Sequence, residues 1–237
     1  MNVKAIVKKL FPSVVNLRNR MYNAWKHARF KGMKSQEVFE TIYRENHWND
    51  SESVSGTGSN SDQTAVIVQK LPLLFKQRRI KSILDLPCGD FNWMKHVPLE
   101  GIRYIGADIV RELIQKNKEK YESAGRSFFV GNLIQGGMPQ ADLFLCRDLF
   151  VHLSYADIKS SIRSIIGSKC TYLLVTTFPN HANYDIVTGN WRPVNLQAKP
   201  FNFPKPLEII HEGFEKDERF SDKALGLWKI ADLEGII

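Results

Sequence analysis

From residue 81 onward, short apolar runs alternate with helical stretches. The runs Ser82–Asp85, Arg103–Asp108, Ser127–Gly131, Asp142–Cys146 and Tyr172–Thr177 read as strands, and the spacing predicts helices over 91–97, 110–124 and 154–167. Strands alternating with helices imply parallel pairing through right-handed crossovers. Two further runs, "LEIIHEGF" (207–214) and "ALGLWKIADL" (224–233), read as strands joined by a charged turn. The expected fold is therefore α/β: a doubly wound, mostly parallel seven-stranded sheet with a C-terminal antiparallel hairpin and an N-terminal helical extension. Its ligand belongs at the carboxyl ends of the strands.

The flanks have other patterns. Residues 35–50 carry Val38, Phe39, Ile42 and Tyr43 at helical spacing, with Ser35 as the expected N-cap. Residues 51–64, "SESVSGTGSNSDQT", read as a loop, and "AVIVQKLPLLFKQRR" as a helix broken or ended near Pro72. After Thr177 the alternation fails. Five prolines and several asparagines over 178–206 predict a long ordered loop over the strand tips. The chain divides into an N-terminal extension with its Ser/Gly-rich loop, 1–64, and a main domain, 65–237.

Charge alters this picture at one end only. Of the 33 Lys and Arg, nine fall in residues 1–36, which hold no Asp or Glu, so the remainder carries 24 basic against 25 acidic side chains. A nucleic-acid groove in the main domain is thereby disfavoured. The basic arm reads as a solvated helix packed on its own domain, or as a peripheral contact with a membrane or a partner protein. Its apolar positions, broken by Lys8 and Lys9, form neither a signal segment nor a span. Three cysteines without a C-x-x-C signal no disulfide framework or structural zinc, and a reducing cytoplasm is the simplest expectation.

The chemistry concentrates where the first strand ends, at "SILDLPCGDFNWM" (82–94). A dinucleotide needs G-x-G-x-x-G so that its pyrophosphate can approach the backbone. Here those positions are Pro87, Gly89 and Asn92, and Asp90 opposes phosphate. A ligand with an adenosine and a cationic amino-acid end removes the objection, since opposite charges at contact attract by about 4 kcal/mol at an effective dielectric of 20. S-adenosylmethionine is such a ligand. Asp108 ends the second strand 23 residues after Asp85, near the separation of about 20 expected of a carboxylate that takes both ribose hydroxyls.

The segments "ILDLPCGDFNWM", "YIGADI", "FFVGNL" and "ADLFLCRDLFVHLS" resemble, in order and spacing, the motifs of class I S-adenosylmethionine-dependent methyltransferases. More loosely, "IYRENHWNDSESVSGTGS" and "TGNWRPVNLQAKPFNFPKPL" resemble bacterial methyltransferases associated with surface-glycan synthesis. The first resemblance implies that Asp85 and Gly89 cradle the methionine end, that Asp108 binds ribose, and that Asn132 and Leu133 lie beside adenine. Pro87, Cys88, Asp90, Trp93, Ile109 and Arg147 complete the expected cofactor wall. Pro87 and Phe91 stand where glycines are usual. Asn132 also reads as a turn cap, and Cys88 as a small buried side chain.

After the fourth strand, Asp148 and His152 are four residues apart and share a face if a helical turn follows. A carboxylate beside an imidazole orients it and raises its basicity, so the pair is the expected catalytic machinery for deprotonating an alcohol. His152 also reads as a packing or capping residue. Neither an Asn-Pro-Pro-aromatic quartet nor an evident metal-binding carboxylate cluster is present in the sequence, and Trp48, Trp191 and Phe201 are candidate acceptor aromatics. The leading expectation is O-methylation of a small molecule or glycan precursor. RNA or protein methylation through the basic arm, and a non-catalytic scaffold, are the alternatives.

Overall fold

A computed structural model of the protein describes residues 29–213 and 220–236. The first 28 residues of the basic arm, and with them the expected membrane or partner contact, lie outside that range. The arm's last residues belong to the domain body: Phe30 is buried in one core cluster with Val38 and Phe39, and Arg29 pairs with Glu45. Among the described residues, no helix is long and apolar enough to cross a membrane.

Strands β1 (Ser82–Asp85), β2 (Arg103–Asp108), β3 (Arg126–Val130), β4 (Leu143–Cys146), β5 (Tyr172–Thr177), β6 (Glu208–His211) and β7 (Ala224–Lys229) form one sheet. Its order is β3-β2-β1-β4-β5-β7-β6. The first five are parallel, with Asp85 beside both Gly106 and Leu145. The last strand of the chain, β7, inserts antiparallel between β5 and β6. Composition explains the exchange: "ALGLWK" is buried except at its final lysine, whereas "EIIH" buries only Ile210. A continuous apolar run suits the interior and a half-polar one the edge. The expected extension of β7 to Leu233 is instead a 3-10 turn, Ile230–Leu233.

Among the described residues, four α-helices accompany the sheet: α1 (Ser35–Arg44), α2 (Ser61–Arg78), α3 (Arg111–Tyr121) and α4 (Tyr155–Gly167). Lys34, not Ser35, is the N-cap of α1, and the Glu37 carboxylate accepts its backbone N–H at 3.2 Å. Helix α2 begins four residues earlier than expected, because the Asn60 side chain caps it by accepting from the Gln63 N–H. It also runs unbroken through Pro72. An interior proline costs about 3 kcal/mol. Burial of Ile67, Leu71, Leu74 and Phe75, at roughly 1.5–3 kcal/mol each, outweighs that cost.

Alternate strand residues feed two cores. Leu84, Phe144, Leu173 and Trp228 pack with the Ile158, Ile162 and Ile165 stripe of α4, while Ile83, Leu143, Leu174 and Leu227 pack with α2. The predicted helix 91–97 is a single 3-10 turn, Met94–His96. Phe91 in a left-handed conformation (φ +59°) and Pro98 bracket it. The 178–206 loop carries no regular elements yet buries Phe178, Val194, Leu196, Phe201 and Phe203. It is moored to α4, where Thr188 bonds Asp157 and the Ser154 N–H donates to Thr188 Oγ1 at 2.9 Å.

Candidate active site

Strand order reverses between β1 and β4, and a cavity lies there, over the carboxyl ends of β1 to β4. Nine of the eleven expected cofactor residues line it: Pro87, Cys88, Gly89, Trp93, Asp108, Ile109, Asn132, Leu133 and Arg147. Asp148 and His152 line it too. Phe39, Tyr43, Trp48, Val54 and Ser55, from the N-terminal extension, supply the opposite wall.

Local sequence explains the loop after β1. Gly89 has φ +54°, and a Cβ there would stand 2.3 Å from Ser55 Oγ, so only glycine allows the two segments to touch. Phe91, also at positive φ, is held by its ring, which is fully buried against Tyr104, Tyr121 and Phe128 at centroid distances of 5.1, 5.1 and 5.5 Å. Aromatic packing thus supports a backbone conformation that a non-glycine residue ordinarily avoids.

Two expected cofactor residues point elsewhere. Asp85 is 2% exposed, outside the cavity wall, and its carboxylate accepts the Tyr104 hydroxyl at 2.6 Å. The Asp90 carboxylate accepts from Ser53 Oγ at 2.9 Å and from the Val54 N–H at 3.0 Å. It anchors the Ser/Gly-rich loop as a wall. The same loop needs Gly58, because a Cβ there would sit 3.0 Å from the Asp148 carboxylate. Its glycines serve close approach.

Burial pushes the Asp85 carboxyl up to about 7, against the opposing Tyr104 bond. A raised carboxyl favours the folded state below the ordinary 3.8 and loses that contribution as pH rises to about 7. Asp85→Asn is therefore expected to gain stability relative to the native chain between pH 4.5 and 7, by about 3 kcal/mol at 1.36 kcal/mol per pH unit. Urea denaturation of both proteins at the two pH values checks this; a constant difference refutes it.

Asp108 stays in the wall. Its carboxylate accepts the Val110 N–H at 3.0 Å and the Gly89 N–H at 3.2 Å, and burial raises it to about 6 against those bonds. Asn132 caps its own turn by accepting the Ile134 N–H, and donates to Ser35 Oγ at 3.3 Å. Burial raises the Cys88 thiol well above its ordinary range, leaving it un-ionised.

Arg147 and Asp148 belong to an ionic quartet in which Arg147, Glu212 and Lys223 are buried and Asp148 is partly exposed to the cavities. Arg147 Nη2 meets Glu212 at 2.6 Å and Nη1 meets Asp148 at 3.3 Å, while Lys223 Nζ meets Asp148 at 2.6 Å and Glu212 at 3.4 Å. Two cations face two anions, so the floor is neutral. Burial would raise the Asp148 carboxyl, but Lys223 and Arg147 together hold it at about 2. Asp148 is thus a fixed anion, poorly suited as a base.

His152 departs from its expected partnership. Residues Phe150–His152 form a 3-10 turn, Asp148 has φ +58°, and the bond to the imidazole comes from the Asn190 carbonyl, 3.0 Å from Nδ1. A carbonyl only accepts, so Nδ1 carries the proton and Nε2 keeps its lone pair. Burial lowers the imidazole to about 4, against the Asn190 bond and the negative charge of Asp148. The hydrogen-bond partner that orients the imidazole is thus the Asn190 carbonyl, and Asp148 favours the protonated ring as a charge only. Trp48 lies beside His152, ring centroids 5.1 Å apart.

A second cavity, about 490 Å³, adjoins the first and shares Trp48, Ser55, Asp148 and His152 with it. Phe178, Trp191, Phe220 and Lys223 also line it. Phe201 is fully buried against Tyr155 and lies outside both cavities. Among the described residues, no group of three or more His, Cys, Asp or Glu is arranged to hold a metal ion.

No protein-family model matches the chain, and no curated protein does either. Solved structures do. Human N-acetylserotonin methyltransferase in complex with S-adenosylmethionine superposes with a TM-score of 0.59 at 14% identity, over 86% of this chain and 61% of that one. Magnesium protoporphyrin IX methyltransferase from Synechocystis PCC 6803 with the same molecule bound gives 0.55 at 11% identity, over 83% and 97%. The methyltransferase domain of bacterial CtHen1 gives 0.53 at 14%, over 72% and 100%. The protein has the Rossmann-like α/β fold of these methyltransferases.

Proposed function

We propose that the protein is an S-adenosylmethionine-dependent methyltransferase acting on a hydroxyl oxygen of a small molecule or glycan precursor. The observation that carries this reading is the junction of the two cavities at Asp148 and His152. The first cavity suits a nucleoside with a cationic tail: its wall carries the Asp108 carboxylate, and its one arginine, Arg147, is already neutralised by Glu212 and Asp148. Pyrophosphate would find no free counter-charge there among the described residues.

Asp108 would hold the ribose hydroxyls, and Leu133 and Ile109 would flank the base. When bound, the cofactor supplies an electrophilic methyl group on a sulfonium. His152 Nε2 would take the acceptor's hydroxyl proton as the oxygen–carbon bond forms and the carbon–sulfur bond breaks. Asp148 would stabilise the resulting imidazolium. The loop around Ser55 and Trp48 would keep water from the junction, and the aromatic wall of Phe178, Trp191 and Phe220 would stack an uncharged acceptor.

Calorimetry with S-adenosylhomocysteine tests the cofactor half of this reading. The native chain is expected to bind, and Asp108→Ala to bind at least about ten-fold more weakly, since two charge-assisted bonds at 1.5–3 kcal/mol each are lost. Equal affinity, or no binding by the native chain, sinks the assignment and favours a scaffold. A mass gain of about 14 units on one component of a fractionated cell extract, nucleotide sugars included, would identify the acceptor.

A further inference from the structure

Arg192 is fully buried, and among the described residues no carboxylate pairs with it. A buried cation without a counter-ion is costly unless its donors are satisfied. Here the guanidinium donates to three carbonyls: Nη1 to Phe150 at 2.5 Å, Nη2 to Leu153 at 2.7 Å and Nε to Tyr184 at 3.1 Å. The Tyr155 ring lies 5.7 Å from its centre.

The carbonyls it selects are those on either side of His152. The Arg192 backbone N–H donates to the Val151 carbonyl at 3.0 Å, and the Gly189 N–H to the His152 carbonyl at 2.8 Å. All four carbonyls of Phe150–Leu153 are thus held by Gly189–Arg192, three of them by Arg192 alone. Asn190, within the same segment, provides the carbonyl that receives His152 Nδ1–H.

We infer that Arg192 is a positioning residue: its fork locks the 189–192 segment onto the Phe150–Leu153 turn, fixing the Asn190 carbonyl against Nδ1 and so presenting the Nε2 lone pair of His152 to the acceptor cavity. Its planar, doubly donating head spans two carbonyls that a lysine cannot reach together. The charges that act on His152 from the packed elements are Asp148, which favours its protonation, and Arg192 and Lys223, which disfavour it. This inference rests on His152 acting as the base of the proposed reaction.

The test is nitrogen-15 NMR of histidine-labelled full-length protein, with the His152 signal assigned by its loss in His152→Gln. The native chain is expected to show Nδ1–H and an unprotonated Nε2 at neutral pH; Nε2–H would overturn the inference without any variant. In folded Arg192→Met, both tautomers should be populated at neutral pH. Turnover should fall about ten-fold or more, with S-adenosylhomocysteine affinity unchanged. Arg192→Lys keeps the charge without the fork, and mixed tautomers are expected there as well. A native-like tautomer in either folded variant refutes the inference. Absence of S-adenosylhomocysteine binding would instead refute the proposed function, because the tautomer measurement needs no ligand.

Discussion

His152→Gln is expected to lower methyl transfer about a hundred-fold, inside the 10²–10⁴ range for a positioned proton acceptor, while S-adenosylhomocysteine binds as tightly as before. An alcohol holds its proton too firmly to attack a methyl group unless a base removes it. His152 is the titratable group at the cavity junction with a lone pair to offer, since Asp148 is held at about 2 by Lys223 and Arg147 despite its burial. The pH profile adds a second check. Burial keeps the imidazole neutral down to about 4, so the acid limb of turnover should lie well below the 6.5 of an ordinary histidine. Measured as S-adenosylhomocysteine released over the acceptor-containing fraction, unchanged turnover in His152→Gln would return the residue to packing.

Strand tips are legible because a continuous apolar run must be buried and must end where polar residues begin; Asp85, Asp108 and Cys146 each end a strand at the position expected. Placement of Asp108 in the cavity follows from that. That neither acid in "DLPCGD" faces the cavity does not follow, because the direction of a side chain at or beyond a strand end depends on the turn. Asp90 is claimed by Ser53 and Val54, more than thirty residues earlier. The partner of His152 was equally hidden: it is a backbone carbonyl, which every residue type carries, contributed 38 positions away. Arg192 left only a faint trace, a lone cation within "TGNWRPVN".

The loop was legible in composition, but the contacts that require that composition were not. Residues 51–60 are rich in serine and glycine because Ser53 and Ser55 bond Asp90 while Gly58 lies against Asp148. Glu52 completes the anchoring by accepting from the Ser61 N–H at 3.0 Å and the Asn92 amide at 2.9 Å. Polar hydrogen-bonding side chains and absent Cβ atoms give the same composition as a solvated linker. The difference lies in what approaches them.

Glu212→Ala is expected to cost about 3–5 kcal/mol of stability, the effect of removing one partner from a buried ion pair. Glu212 is 3% exposed and sits just after β6, Lys223 is 4% exposed and precedes β7, and the two together tie the C-terminal strands to Arg147 and Asp148 at the tip of β4. Without the glutamate, two enclosed cations would share the single Asp148 carboxylate. At roughly 2–4 °C per kcal/mol for a chain of this length, the melting temperature should fall by about 10 °C. The double variant Arg147→Met/Glu212→Leu is expected to lose much less than the sum of the single changes, because it removes desolvated charges of both signs. Calorimetric melting of Glu212→Ala, of the double variant and of its two single changes decides the matter. A loss below about 1 kcal/mol in Glu212→Ala would mean that water reaches the quartet. The quartet would then act as a set of solvated surface pairs, contributing little to holding the C-terminal strands against the tip of β4.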